Sequence, residues 1–391
     1  MPDTTPDSPQ APRLQPNPDA EDLRLRRGRG AVSNPTGRYE SRTRVRRDKM
    51  WDYSSDNDWQ TLLNDIRNEE AELPPLRTNV TEEACRSAIA TNNSPDIPFD
   101  QSINPYRGCE HGCIYCYARP THAWSGLSPG LDFETELFCK PDIIETLKRD
   151  LAKPGYDCRM IALGTNTDCY QPIERERRLM CGILEVLRDC HHPVGIVTKS
   201  HLVTRDIDIL SDMAKENLVH VFVSVTTLDR QLARAMEPRA ATPPKRLETI
   251  HKLADAGIPV GVMVAPVVPA LTDHELESIL AAAQEAGAKR AGYLVLRMPF
   301  EIKDLFREWL LENCPDRATR VMRQLHEIRG GRDNDPRFHT RMTGVGDNAE
   351  LLRTRFAIAC RKLGLGTREY DNLDHTKFIP PELPGQQMSL F

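Results

Sequence analysis

From residue 98 onward, short runs of apolar residues alternate with longer segments whose apolar positions recur every three to four residues. The runs at 160–163, 195–198, 219–225, 260–264 and 293–296 are too short for helices and apolar on both faces, the pattern of strands buried in a parallel sheet. The segments at 141–151, 174–190, 206–216, 244–256 and 273–286 are amphipathic at the helical period. Pro141-Asp142 and Thr272-Asp273 supply start signals, and Gly257 and Gly287 supply stops. One more strand just before Cys109 completes six β/α units. The pattern predicts an α/β fold, a partial (β/α)6 barrel whose site lies at the C-terminal ends of its strands.

The ends of the chain break this rhythm. Residues 1–20 are rich in Pro, Asp and Gln, with almost nothing to bury. Residues 24–49 are strongly basic, with only Glu40 and Asp48 in opposition, and Gly28 and Gly30 interrupt any helix there. This stretch reads either as a solvated flexible arm or as a contact to nucleic-acid phosphates. After the barrel, 302–312, 318–329 and 350–362 read as helices, 330–348 as loop, and the last dozen residues as an extended Pro-rich tail. The expected organisation is a disordered basic N-terminal arm (1–57), a connecting segment (58–97), the barrel (98–300), a helical C-terminal extension (301–378) and a flexible tail (379–391).

Charge and cysteine content narrow the setting. A net charge of −5 excludes a protein that coats polyanions over its whole surface. No apolar stretch reaches the ~18 residues of a membrane span. The N-terminus has neither the basic nor the apolar region of a secretory signal. Eleven cysteines, an odd number, point to a reducing, cytoplasmic location and away from a disulfide scaffold.

Three cysteines carry the chemistry. Cys109, Cys113 and Cys116 form a CxxxCxxC motif flanked by Gly108 and Gly112. Three thiolates in one loop can hold three irons of a cubane and leave the fourth iron without a protein ligand. Zinc would ask for four ligands, with His111 the available fourth; plain buried cysteines would ask for apolar flanks that are absent.

CxxxCx(aromatic)C, with Tyr115 in the aromatic slot, after the first strand of a six-fold β/α repeat resembles the radical SAM superfamily. The resemblance implies a 4Fe–4S cluster on Cys109, Cys113 and Cys116 and S-adenosylmethionine chelated by the unique iron. It also implies reductive cleavage to a 5′-deoxyadenosyl radical, hydrogen abstraction from substrate, and an electron donor such as flavodoxin or ferredoxin. Among branches, the strand ends are most similar to the spore photoproduct lyase and DNA repair photolyase group, which implies contacts to the cofactor from Thr167, Lys199 and Ser224. Lys199 could neutralise the methionine carboxylate, and Asp168 or Thr167 could receive its ammonium. The run at 27–35 is similar to the N-terminal signature of an uncharacterised bacterial subfamily of that group. There is a departure: the cysteine that returns hydrogen in spore photoproduct lyase is replaced near Thr165, leaving Cys169 as a candidate donor.

The terminal Gln387, Met388, Leu390 and Phe391 resemble a bacterial sliding-clamp-binding motif on a Pro-rich stem. The expected function is therefore a radical SAM, lyase-like enzyme acting on nucleic acid, with DNA and the replication clamp as partners and no membrane. The alternatives are a radical SAM enzyme on a peptide or small metabolite, and a non-enzymatic metal-binding adaptor on DNA.

Overall fold

The structure, a computed structural model, describes residues 28–40, 77–367 and 373–383. Its strands are β1 (Asn79–Glu82), β2 (Ile89–Thr91), β3 (Gln101–Ile103), β4 (Tyr106–Arg107), β5 (Glu136–Cys139), β6 (Ile161–Leu163), β7 (Val194–Thr198), β8 (Val219–Ser224), β9 (Val260–Val267) and β10 (Arg290–Val295). Its helices are α1 (Asp132–Thr135), α2 (Ile143–Leu151), α3 (Glu174–Arg177), α4 (Leu179–Asp189), α5 (Ile207–Lys215), α6 (Arg230–Met236), α7 (Pro243–Asp255), α8 (Leu276–Glu285), α9 (Ile302–Asn313), α10 (Pro315–Ile328), α11 (Thr340–Thr343) and α12 (Asp347–Leu363).

Seven strands form one sheet in the order β10-β9-β8-β7-β6-β3-β2. The pairs from β3 to β10 are parallel, and β2 adds an antiparallel edge. β2 and β10 end the order without pairing, so the barrel is open, as expected of a partial (β/α)6 barrel. The centre of the sheet is dry: every residue of β8 is buried. Residues 364–366 cover the β10 edge, where Ala291 N donates to Gly366 O at 2.9 Å, satisfying backbone groups that an exposed edge would present to another chain. On the far side, α9 and α10 pack their apolar faces onto Met236, Val268 and Leu271 in a second core.

Some elements differ from the sequence reading. The first parallel strand is β3, and the two residues directly before the cysteine loop, β4, join β5 and β1 in a separate three-stranded sheet. The helix expected over 174–190 is two helices. Arg178 takes a left-handed conformation at φ 51°, and the Glu174 carboxylate accepts from the first amides of α4, Leu179 N at 3.0 Å and Met180 N at 3.1 Å. A carboxylate at a helix N-terminus satisfies donors that the helix leaves unpaired. The loop expected over 330–348 contains one helical turn, α11.

The N-terminal arm is a correction in part. Residues 28–40 lie inside the stretch expected to be disordered, yet they pack against the cysteine loop through contacts described below. The remaining arm residues, and Gln387, Met388, Leu390 and Phe391, lie outside the described residues. No described helix is long and apolar enough to cross a membrane.

Candidate active site

The loop from β4 to α1 carries the three cysteines at the C-terminal mouth of the barrel. Gly108 and Gly112 have φ of 76° and 67°, a region closed to most side chains, and this lets the loop curl. Cys109 N donates to Phe133 O at 2.9 Å, Ile114 N to Met236 O at 3.0 Å, and Cys116 N to Cys113 O at 3.2 Å. Burial raises all three thiols above the usual range, and Lys199 pulls Cys113 and Cys116 part of the way back. Among the described residues no three Cys, His or carboxylate groups converge on one ion-sized point.

Two buried charges hold this loop, and neither was singled out in the sequence. The Arg119 guanidinium, fully buried, donates to Cys113 O (2.9 Å), Gly112 O (3.1 Å), Gly130 O (2.8 Å) and Pro129 O (3.2 Å), and pairs with Glu134 at 2.6 Å. The Glu134 carboxylate also accepts from the arm: Gly30 N on Oε2 at 2.9 Å, and Ala31 N at 2.8 Å on Oε1, the oxygen that Arg119 meets. Arg29 donates to Glu134 O at 2.6 Å, and Asn34 to Asp132 at 2.7 Å. A Cβ on Gly30 would stand 1.7 Å from Gly112 O, so only glycine lets the arm lie this close to the cysteine loop.

The strand ends bring most of the expected residues together, in different roles. Asp168 is occupied: Oδ1 accepts from Thr198 Oγ1 (2.7 Å) and Tyr170 N (2.9 Å), and Oδ2 accepts from Lys199 N (2.7 Å) with His111 Nδ1 at 3.4 Å. Burial alone would raise its carboxyl, but His111 and these hydrogen bonds hold it at about 2. It ties the β6 and β7 loops together. Thr167 is buried and donates to Tyr106 O at 3.3 Å. Ser224 is buried, its carbonyl accepting from Arg246 Nη1 at 3.0 Å. The Tyr115 hydroxyl donates to Glu237, which also accepts from Thr226 Oγ1 at 2.7 Å and pairs with buried Arg246. Lys199 Nζ stands 5.7 Å from the Tyr115 ring, and no described carboxylate pairs with it.

Cys169 is placed elsewhere. Its thiol is sealed in the core with Tyr106 and Tyr170, and burial raises it well above its usual value. The Thr165 carbonyl instead accepts from the hydroxyl of Tyr117, the residue after the third cysteine, whose ring is half exposed at the mouth.

The side chains suit the group the motif implies. Three buried thiols around one curled loop fit a 4Fe–4S cluster with an open iron. An ammonium without a carboxylate partner beside them, together with the hydroxyls at the ends of β6 and β8, fits the aminoacyl part of S-adenosylmethionine. Arg119, Glu134, Glu237 and Arg246 escape a sequence reading because their partners lie far off along the chain or are backbone atoms; an arginine three residues after the third cysteine was the only local hint.

A family model described as the Radical SAM superfamily matches residues 103–283. An uncharacterized protein of Mycobacterium tuberculosis is 37% identical over 239 residues, which are 60% of this chain and 70% of that relative. An uncharacterized protein of Methanocaldococcus jannaschii is 30% identical over 173 residues, 44% of this chain and 62% of that relative. Among solved structures, a mutant spore photoproduct lyase with bound AdoMet and dinucleoside spore photoproduct superimposes with a TM-score of 0.54 at 13% identity, covering 80% of this chain and 94% of that one. That likeness speaks for the fold alone. The open parallel barrel, the three-cysteine loop at its mouth and the family match agree: the chain belongs to the radical SAM superfamily, whose cofactors are a 4Fe–4S cluster and S-adenosylmethionine.

Proposed function

We propose that this radical SAM enzyme acts on nucleic acid, in a lyase-like repair or modification reaction. A 4Fe–4S cluster on Cys109, Cys113 and Cys116 together with S-adenosylmethionine would, given an electron from an external donor, supply one-electron radical chemistry at a C–H bond of the substrate. The chain's own residues do the positioning. Arg119 and Glu134 fix the cysteine loop. Asp168 holds the β6 and β7 loops through Thr198 and the Lys199 amide, and the Lys199 ammonium would be available to the carboxylate of S-adenosylmethionine. The buried Tyr115–Glu237–Arg246 chain fixes the aromatic slot.

One observation carries the choice of substrate. The carboxylates around the site are answered internally: Glu134 by Arg119, Glu237 by Arg246, Glu110 by Arg239 at 2.6 Å, and Asp168 by the donors above. The Lys199 ammonium would be answered by the cofactor's own carboxylate, which leaves Arg297, just beyond the end of β10, with no carboxylate partner among the described residues. The mouth is thus left with uncompensated positive charge on a chain whose net charge is negative, which suits an anionic substrate. The similarity to spore photoproduct lyase supports the same reading by analogy of fold. The terminal Gln387, Met388, Leu390 and Phe391 would tether the enzyme to the clamp and raise its concentration at DNA; deleting 387–391 tests this by loss of clamp binding. Cys169 is not assigned as hydrogen donor, because its sealed thiol does not reach the mouth.

The test is anaerobic reconstitution with iron and sulfide, followed by dithionite and S-adenosylmethionine. Formation of 5′-deoxyadenosine, lost in Cys113→Ala, is expected. Damaged oligonucleotides should raise its yield and carry deuterium to or from the cofactor. Product formation that responds to peptides or small metabolites and never to nucleic acid would overturn the substrate assignment.

A further inference from the structure

Arg297 stands two residues beyond the end of β10, beside Tyr117 at the mouth of the site. Its Nε is buried without a hydrogen-bond partner. Its remaining contacts are weak: Nη1 lies 3.7 Å from Met342 Sδ, and the guanidinium lies 5.9 Å from the Tyr117 ring centroid. The nearby charges do not neutralise it. Arg341 is spent on Asp96, at 2.6 and 2.7 Å, and Arg329, behind the strand, donates to Val295 O at 2.8 Å and to Leu296 O. Burial and the field of Arg341 lower the proton affinity of Arg297, and burial and Arg297 lower that of Arg329 to about 10. A half-buried guanidinium whose Nε has no acceptor, and whose nearest carboxylate, Asp96, is bound to Arg341, suits an incoming oxyanion.

The rim around it is aromatic. Phe300 is 62% exposed, with Arg38 stacked on it at 3.9 Å; Phe338 is 50% exposed, with Arg341 at 4.7 Å. Arg38 is itself paired with Glu301 at 2.7 Å, so these arginines bring little net charge to the rim and instead present rings backed by a cation. Both loops hold non-glycine residues at positive φ at these points, Phe300 at 54° and His339 at 66°. Such conformations are unfavourable for residues with a Cβ, and they persist where the surroundings impose them.

We infer that Arg297 holds a backbone phosphate of the substrate strand and that Phe300 and Phe338 stack its unpaired bases, so that the rim selects single-stranded or locally unpaired nucleic acid. Bases within a duplex offer no free faces to such rings, whereas unpaired bases do, irrespective of sequence. The inference rests on the nucleic-acid reading of the site and adds to it the strand form and the contacting residues.

The experiment is fluorescence anisotropy of the reconstituted full chain with a labelled 12-nucleotide single strand and with the matching duplex, over a range of salt. The wild type should prefer the single strand. Arg297→Gln should weaken it about tenfold and lower the slope of log K against log salt by about 0.7, the share of one phosphate on a single strand. Phe300→Ala, at an exposed position that folding does not need, should weaken it about fivefold with the salt slope unchanged. Leu351→Ala, exposed on α12, is the control and should change nothing. Iron content and S-adenosylmethionine binding should be the same in all four proteins. Wild-type affinity in both Arg297→Gln and Phe300→Ala, a preference for duplex, or a loss of S-adenosylmethionine binding in Arg297→Gln overturns the rim assignment and leaves the nucleic-acid reading standing. A wild type that binds neither oligonucleotide overturns both.

Discussion

Of the residues around the cysteine loop, Glu134 has the most to lose from substitution. Its carboxylate is fully buried and answers three separate groups: the Arg119 guanidinium and the amides of Gly30 and Ala31. Glu134→Ala would leave the Arg119 charge buried without a counter-charge, a change that costs about 3–5 kcal/mol where it has been measured. Arg119 would then relax toward solvent and release the carbonyls of Gly112 and Cys113 that it holds. The expected outcome is a lower unfolding temperature and less than half the wild-type iron per chain after reconstitution. Glu134→Gln, which keeps the acceptor shape but loses the charge, should fall between the two. Lys199 tests differently, since its ammonium has no carboxylate partner among the described residues. Lys199→Met should leave folding and iron content unchanged and weaken S-adenosylmethionine binding about tenfold or more, read by equilibrium dialysis. Unchanged binding would remove it from the cofactor site. The contrast follows what a sequence can reveal at this scale. The thiols were legible because three ligands to one cluster must sit close together along the chain. Asp168 was noticed for its position, but its part in tying two loops together was not, because its partners Thr198, Lys199 and His111 meet it only in three dimensions.

Among the elements, the parallel strands and the helices between them were legible from periodicity, because burial on both faces or on one stripe leaves a local record. The arm at 28–40 left none. A glycine-interrupted basic run has nothing to bury, and its order comes from backbone amides that meet a carboxylate a hundred residues away. The break between α3 and α4 was hidden for the same reason, since the capping oxygens come from Glu174 and not from a residue beside Leu179. The arm yields a sharp prediction. Gly30→Val cannot be placed without moving Gly112 O, so the segment should detach while the barrel, which does not depend on it, stays folded. Limited proteolysis should then cut near Arg29 several times faster than in the wild type, and the reconstituted cluster should bleach faster in air. An arm that merely rests on the surface would show the first effect without the second.

Across the whole molecule, stability is linked to pH through histidines buried far from the cysteine loop. His192 is fully buried between Tyr156 and Phe378, so it clamps the C-terminal segment 373–383 onto the barrel. Its Nδ1 lies 3.0 Å from Pro193 O, which can only accept, so Nδ1 carries a proton; Nε2 lies 2.9 Å from the Tyr156 hydroxyl, whose single proton is shared with Gln101 Oε1 at 2.8 Å. Burial lowers its pKa to about 4, and burial together with Arg290 lowers that of His220, in β8, to about 4 as well. In the unfolded chain both titrate near 6.5. Below that value the unfolded state binds protons that the folded state refuses, so the stability these residues contribute is complete above about pH 6.5 and is lost as the pH falls toward 4. At ~1.4 kcal/mol per unit, each loses on the order of 3 kcal/mol across that window. Carboxylates add an acid loss of their own, so the measurement is a difference. Unfolding free energy from denaturant titration at pH 7.0, 5.5 and 4.5 should fall more steeply in the wild type than in His192→Phe, which keeps an aromatic wedge against Phe378 and has no proton to gain. Parallel slopes for the two proteins would show that His192 is protonated in the folded state without resistance, and that the C-terminal segment is not held by a neutral imidazole.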